Sequence, residues 1–265
     1  MSSDLRRRCE LLRELHRPGS PLLLPNVWDA ATARAVVRAG FPVVATTSWG
    51  VAAALGYEDH EGAPATEMFA AAARISRCVD VPVTVDAEGG YGMEPEALVV
   101  SLQGIGAAGC NLEDTEYSPG VPHDHAAGIL RDPARHACWL REVRRAAHAM
   151  DYPLVINARV DNFLSPYIAG ADIGTQVELV PEALERANAY LEAGADCVYP
   201  IALCEPEALA MFMSKTRAPV NITRMPNGPA LPELQSYGVA RVSWAIFLYQ
   251  ASIARFEDQL RELRG

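Results

Sequence analysis

The sequence predicts an α/β protein built as a single (β/α)₈ barrel that spans residues 1–265, and three observations lead to this class. Eight short apolar runs alternate with longer helical runs along the whole chain. The short runs are apolar almost throughout, as in parallel strands that helices cover on both faces. A length of 265 residues is also the usual size of one such barrel. An open doubly wound sheet is the alternative.

The elements can be assigned in chain order. Residues 1–18 form a charged segment that predicts a helix ahead of the barrel. The strands are predicted at 22–27, 43–48, 82–88, 110–115, 153–159, 197–203, 219–224 and 241–245. Helices are predicted at 29–39, 66–79, 94–108, 132–149, 181–193, 205–215 and 231–237, and the last covers 246–265. Asp29, Thr66 and Asp132 stand where helix N-caps are expected.

Composition excludes several classes of function. The formal net charge is −10 and no basic block is present, which argues against nucleic acid or an anionic membrane as a partner. No apolar run reaches the roughly 18 residues of a membrane span. The six cysteines form no CxxC pair and therefore predict reduced thiols in a cytoplasmic protein. Because Lys215 is the one lysine and precedes a strand, Schiff-base chemistry is disfavoured.

Acidic residues gather where the predicted strands end, and barrel enzymes place their chemistry at those ends. Asp86 and Glu88 are two apart on one strand, so their side chains should point the same way. Glu113 ends the adjacent strand, and Asp59 lies in a loop on the same side. Neighbouring carboxylates repel, and oxygen ligands favour Mg²⁺ or Mn²⁺. The alternative is that each acid merely caps a helix or faces water.

Other candidates surround these acids. Ser48, Trp49 and Gly50 are predicted to form a turn whose hydroxyl and backbone N–H groups could cradle a carboxylate. Arg159 ends a buried strand, where its guanidinium either pairs with an acid or holds a substrate oxyanion. His123 and His125 lie in a long loop after the fourth strand, and such loops often act as active-site lids. Paired loop histidines are more often solvated than bound to metal.

Four segments together resemble the isocitrate lyase/phosphoenolpyruvate mutase superfamily. They are LLLPNVWDAATARAVVRAGFPVVATTSWGVAAALGYED, VTVDAEGGYG, GAAGCNLEDT and INARVD, and they occur in the order typical of that superfamily. The resemblance implies a (β/α)₈ barrel and a homotetramer, a dimer of dimers, in which the last helix is exchanged between subunits. It also implies a Mg²⁺-dependent site for small 2-oxo or 2-hydroxy carboxylates.

The resemblance also implies roles for individual residues. Asp86 matches the principal metal ligand, while Glu88 and Glu113 match acids that hold metal-bound water. Asp59 matches an acid that supports the same water shell. The remaining matches concern the substrate: Ser48, Trp49 and Gly50 match the segment that binds its carboxylate, Arg159 an arginine that contacts it, and Asn221 a residue that lines the pocket.

Departures from the superfamily pattern narrow the expected reaction. The loop after the fourth strand lacks the KxCGH motif of the isocitrate and methylisocitrate lyases, and Ile201 stands where those lyases have a glutamate. The same loop lacks the lysine and asparagine that the phosphonate enzymes use there. What remains predicts a Mg²⁺-dependent carbon–carbon lyase that acts through an enolate, of the oxaloacetate decarboxylase or dialkylmalate/methylisocitrate lyase kind.

In that reading Arg159, Asp59 and Glu113 act in catalysis, and His125 is a candidate proton donor. Two alternatives stay open. One is a C–P bond enzyme that acts on phosphonopyruvate as a hydrolase or mutase. The other is a protein that binds 2-oxo acids without turnover.

Overall fold

A computed structural model describes residues 2–118, 120–121 and 128–264 of the chain, which fold as helices packed around parallel strands. Nine short strands occur in this described part. They are β1 (Leu22–Leu24), β2 (Asn26–Val27), β3 (Val44–Thr46), β4 (Val83–Asp86), β5 (Gly109–Glu113), β6 (Val155–Val160), β7 (Cys197–Pro200), β8 (Asn221–Thr223) and β9 (Arg241–Ser243).

The strands pair in two parallel sheets. The larger sheet has the order β2-β3-β4-β5-β6-β7 and the smaller has the order β1-β9-β8. Neighbours in the larger sheet follow chain order without reversal, whereas a doubly wound sheet reverses its strand order at a switch point. The topology therefore disfavours the doubly wound alternative.

The predicted first strand, residues 22–27, is interrupted at Pro25. Proline has no N–H to give to a ladder, and the chain changes partner there: β1 pairs with β9, whereas β2 pairs with β3. At the other junction, between β7 and β8, the ladder is reduced to one parallel bridge between Val198 and Val220. Within the described residues the strands thus do not form the one continuous barrel that the sequence predicts.

Helices cover the sheets on the outside. They are α1 (Ser3–Glu14), α2 (Ala30–Arg38), α3 (Ser48–Leu55), α4 (Ala65–Arg77), α5 (Pro95–Gly104), α6 (Pro133–Ala149), α7 (Leu164–Ile168), α8 (Gln176–Glu192), α9 (Pro206–Lys215), α10 (Leu231–Ser236) and α11 (Phe247–Arg264), with a 3₁₀ turn at Ile173–Thr175. Buried aliphatic residues such as Val85, Leu112 and Ile156 form the core between strands and helices. No helix among the described residues has both the length and the apolar character needed to cross a bilayer.

Two differences from the predicted elements bear on the site. Ser48, Trp49 and Gly50, predicted as a turn, form the first turn of α3, because the run of alanines that follows favours a helix up to Gly56. Helix α7, after β6, was not predicted at all. The final helix has the predicted position, but its residues from Gln250 onward are exposed.

Candidate active site

The carboxyl ends of the strands surround a cavity of about 310 Å³. Five of the predicted site residues line it, namely Ser48, Trp49, Asp59, Asp86 and Arg159. Parallel strands bring their carboxyl ends to the same side of the fold, so residues far apart in sequence meet there. These predicted residues are therefore brought together as expected.

Asp86 is the carboxylate at the centre of this group. It ends β4 in register with Asn111 of β5, whose side-chain amide donates to Asp86 Oδ1 over 3.5 Å. The backbone N–H of Ser48, at the start of α3, donates to Asp86 Oδ2 over 3.1 Å. Burial raises the pKa of Asp86, and the positive charge of Arg159 offsets this only in part. A cation beside Asp86 would therefore favour its ionised form.

Glu88 does not share the orientation of Asp86. Strand β4 ends at Asp86, and Glu88 adopts a left-handed backbone conformation with φ of 47°, so the alternation of a strand no longer applies. Its buried carboxylate accepts the Tyr91 hydroxyl at 2.8 Å and the backbone N–H of Glu61. Burial, together with the charges of Asp59 and Glu113, raises the pKa of Glu88 well above its usual value. Glu88 thus lies close to Asp59 and Glu113 without being one of the residues that line the cavity.

Arg159 is held by two carboxylates. Its Nε and Nη2 atoms donate to the two oxygens of Asp161, both over 2.7 Å, and its Nη1 lies 2.5 Å from Glu113 Oε2. The pairing of β5 with β6 sets Glu113 directly opposite Arg159. Burial disfavours the charged guanidinium, but Asp161 and Glu113 outweigh burial and hold the pKa of Arg159 well above its usual value.

Arg159 therefore pairs with acids, which is one of the two roles that the sequence left open, and it also lines the cavity. Asp161 is in turn fixed by the Thr115 hydroxyl at 2.7 Å and, through its backbone N–H, by Asp114 Oδ1 at 2.9 Å. The hydroxyl of Tyr117 donates to Glu113. A charged group with this many partners cannot rotate freely, so the guanidinium is preorganised.

Two predicted substrate-binding residues do not reach the cavity surface. Gly50 is packed so closely that a Cβ atom there would lie 2.9 Å from Thr47 Cγ2 and 3.1 Å from Trp28 Cβ. Asn221 is fully buried, and its amide donates to Ser243 Oγ over 3.1 Å. Both residues support the walls of the cavity from behind. His123 and His125 lie outside the described residues.

The cavity also has polar lining residues that the sequence reasoning missed. Tyr199 and Thr223 share a hydrogen bond of 2.5 Å between their hydroxyl oxygens, and His60 follows Asp59 in the same loop. Tyr199 and Thr223 lie near the carboxyl ends of β7 and β8. Their position in two predicted strands was the sequence signal for both residues.

The carboxylates do not form a closed metal cage. Across residues 2–118, 120–121 and 128–264, no three Asp, Glu, His or Cys side chains stand together as a ready set of metal ligands. Asp86 and Asp59 nevertheless present oxygen ligands to the cavity, with Glu88 and Glu113 behind them. This donor set suits a Mg²⁺ ion that keeps several waters and takes one or two carboxylates from the protein.

Taken together, the fold and the site define an α/β enzyme with an acidic, arginine-containing cavity at the carboxyl ends of its parallel strands. The profile of the family described as phosphoenolpyruvate phosphomutase matches residues 12–264. The chain belongs to that family, within the isocitrate lyase/phosphoenolpyruvate mutase superfamily, whose members include lyases and mutases.

Known proteins similar to this chain carry names of both kinds. A Burkholderia cenocepacia J2315 protein, provisionally named a phosphonomutase, has a crystal structure with a TM-score of 0.86 and 37% identity, which covers 97% of this chain and 99% of that one. The Corynebacterium glutamicum protein named probable 2-methylisocitrate lyase 2 is 30% identical, over 91% of this chain and 75% of its own length. The fold is also that of 2,3-dimethylmalate lyase, with a TM-score of 0.81 and 22% identity over 97% and 86% of the two chains.

Proposed function

We propose that the protein is a Mg²⁺- or Mn²⁺-dependent carbon–carbon lyase that acts on a small 2-oxo or 2-hydroxy carboxylic acid through an enolate. One observation carries the proposal: Asp86 and Asp59 face the same cavity as a guanidinium whose orientation is fixed by two carboxylates. Such a site combines a place for a cation with a positive group at a defined position. Both favour the negative charge that develops on an enolate oxygen.

Asp86 is the residue that would hold the metal directly, and Asp59, Glu88 and Glu113 are the residues that would hold its water shell. When bound, the metal supplies Lewis acidity to the substrate carbonyl. The raised pKa of Asp86 supports this assignment, since burial leaves its charge only partly compensated by the protein.

The protein's own groups bind and orient the substrate. Ser48 and Trp49 form the first turn of α3, where backbone N–H groups lack intrahelical acceptors and attract a carboxylate. Because both the backbone N–H and the hydroxyl of Ser48 already bind Asp86, Trp49 N–H is the group for the substrate. Arg159 faces the developing oxyanion, and Glu113 and Asp161 hold it there. His125 remains our candidate for the group that returns a proton to carbon.

The charges of the cavity favour a carbon–carbon lyase over an enzyme of phosphonate chemistry. Among the described lining residues Arg159 is the one arginine, no lysine is present, and two acids already compensate its charge. A phosphonate group brings up to two negative charges and, beside the proposed metal and Arg159, would meet no further arginine or lysine among these residues. The phosphonomutase name of the Burkholderia relative keeps the C–P enzyme as a second candidate.

We further propose that the two sheets are arcs of one barrel and that the protein is a cytoplasmic homotetramer. The Val198–Val220 bridge and the continuity of β1 with β2 across Pro25 support the barrel. The apolar side chains exposed on the last helix support the exchange of that helix between subunits, since a neighbour would cover them. They are Ile253, Phe256, Leu260 and Leu263.

The test measures turnover of candidate substrates, with NMR used to detect the products. Purified protein with Mg²⁺ is incubated separately with oxaloacetate, 2-methylisocitrate, dimethylmalate and phosphonopyruvate. We expect cleavage of at least one of the three carbon substrates and none of the phosphonate. Asp86→Ala should abolish turnover, while the exposed Asp80→Ala, ahead of the same strand, should leave it unchanged. Cleavage of phosphonopyruvate alone would favour the C–P enzyme. Mg²⁺-dependent oxalate binding without any turnover would favour the binding protein.

A further inference from the structure

The cavity is lined by polar groups and by a larger set of apolar side chains. Ser48, Asp86 and Arg159 contribute charge and hydrogen-bonding groups from the ends of β3, β4 and β6. A group of apolar residues, which we call the apolar wall, comes from α7 and from the segments that follow β7, β8 and β9, above the hydroxyl groups of Tyr199 and Thr223 at the ends of β7 and β8. It consists of Leu164, Tyr167, Ile168, Ile201, Met225 and Phe247.

The apolar wall extends from the interior to the mouth of the cavity. Met225 and Ile201 are only 4% and 8% exposed, whereas Ile168 is 49% exposed. A ligand group that lies along the wall would begin at buried side chains and end near solvent. Six side chains offer more apolar surface than a single methyl group covers, so the wall suits a chain of several carbons.

The wall also lacks compensation for a second anionic group. None of its six described residues is basic, and the guanidinium of Arg159 already binds Glu113 and Asp161. A carboxylate placed against the buried part of the wall, at Ile201 and Met225, would lose its hydration without gaining a cation, which is strongly unfavourable. A methylene group placed there gains about fourfold in affinity, the equivalent of about 0.8 kcal/mol.

We infer that the substrate carries an apolar chain of several carbons opposite its oxo-acid or hydroxy-acid head, and that the apolar wall binds this chain. The inference rests on the proposed function for the chemistry at the head of the substrate. It excludes tricarboxylates as the preferred substrates and selects alkyl-substituted acids. Ile168, Ile201 and Met225 thereby determine specificity.

The test is a binding series that needs no turnover. The full-length protein is titrated calorimetrically, with Mg²⁺ present, with pyruvate, 2-oxobutanoate, 2-oxopentanoate and 2-oxohexanoate. We expect affinity to rise about fourfold for each added methylene, or about 60-fold across the series. A flat or falling series, or no binding of any member, would overturn the inference.

A pair of variants locates the effect. Ile168→Glu, at the half-exposed mouth and so of low risk to folding, should weaken 2-oxohexanoate about tenfold and leave pyruvate unchanged. Val100→Glu, on the outer face of α5 with 51% exposure, should change neither. Equal losses in both variants would contradict the assignment. If affinity rises along the series but no substrate is cleaved in the NMR test, only the lyase proposal is refuted. If a substrate is cleaved but affinity does not rise along the series, only the role of the apolar wall is refuted.

Discussion

Replacing Asp161 by asparagine tests how firmly Arg159 is held. The substitution keeps the shape of the side chain but turns one of its two oxygens, each 2.7 Å from the guanidinium, into a donor that faces another donor. Breaking a buried ion pair by removing one partner costs about 3–5 kcal/mol, and the retained oxygen together with Glu113 should keep the loss near the lower figure, about 3 kcal/mol.

The loss is measured as the change in free energy of unfolding, from urea titrations followed by circular dichroism. A second measurement separates positioning from stability. Mg²⁺-dependent oxalate affinity should fall at least tenfold in Asp161→Asn, because Arg159 loses the partner that fixes its orientation.

Asp196→Asn is the matched control. Like Asp161, Asp196 is paired with arginine, in this case with Arg13 Nε at 2.9 Å and Arg144 Nη2 at 2.5 Å. Unlike Asp161, it precedes β7 at the opposite end of the strands. We expect a smaller stability loss of about 1–2 kcal/mol, because its side chain is 20% exposed, and no change in oxalate affinity. An Asp161→Asn protein as stable as the wild type, or one that binds oxalate equally well, would refute the reasoning.

Three further predictions concern packing, acid stability and subunit assembly. Gly50→Ala should lower the free energy of unfolding by about 1–3 kcal/mol, because the added methyl group overpacks the site. Gly104→Ala on α5 is the control, since an added Cβ there meets nothing within 4 Å. It should be neutral or stabilising in the same urea titration. Burial, reinforced by Arg131 and Arg186, lowers the pKa of His136 to about 3. Folding therefore keeps His136 neutral, while the unfolded chain binds a proton on this residue below about pH 6.5. The free energy of unfolding should consequently fall by about 2.7 kcal/mol from neutral pH to pH 4.5. His136→Phe should reduce this acid loss by the same amount, and identical pH profiles of the two proteins would refute the prediction. Phe256→Glu on α11 should shift the protein to a smaller species in size-exclusion chromatography with light scattering, while Gln259→Glu should not; a wild-type monomer would contradict the proposed assembly.

The order of strands and the strand-end location of the site could be predicted from the sequence, because apolar runs and their terminal polar residues are local features. Asp86 and Arg159 were found in this way. The partners of Arg159 were harder to predict. Asp161 is close in sequence, but Glu113 meets Arg159 only through the register of β5 with β6, and sequence alone does not set that register.

Other errors have a similar origin. The expectation that Glu88 points with Asp86 assumed a strand that in fact ends at Asp86. The interruption of the first strand at Pro25 could have been predicted, since proline cannot donate a hydrogen bond to a β-ladder. Helix α7, which supplies half of the apolar wall, is only five residues long, and such a short helix has too few turns for a hydrophobic period to be recognised.

Helix α11 has a consequence for the thermodynamics of the whole protein. Its first residues, Phe247 and Gln250, line the cavity, while Phe256 and Leu263 further along are 57% and 83% exposed. The helix is continuous over its 18 residues and about 27 Å long, so its cavity end and its exposed end belong to one element. In the proposed assembly, subunit association and substrate binding would therefore be linked, and each would strengthen the other by the same factor. Substrate affinity would then depend on protein concentration and decline upon dilution over the range in which the subunits separate.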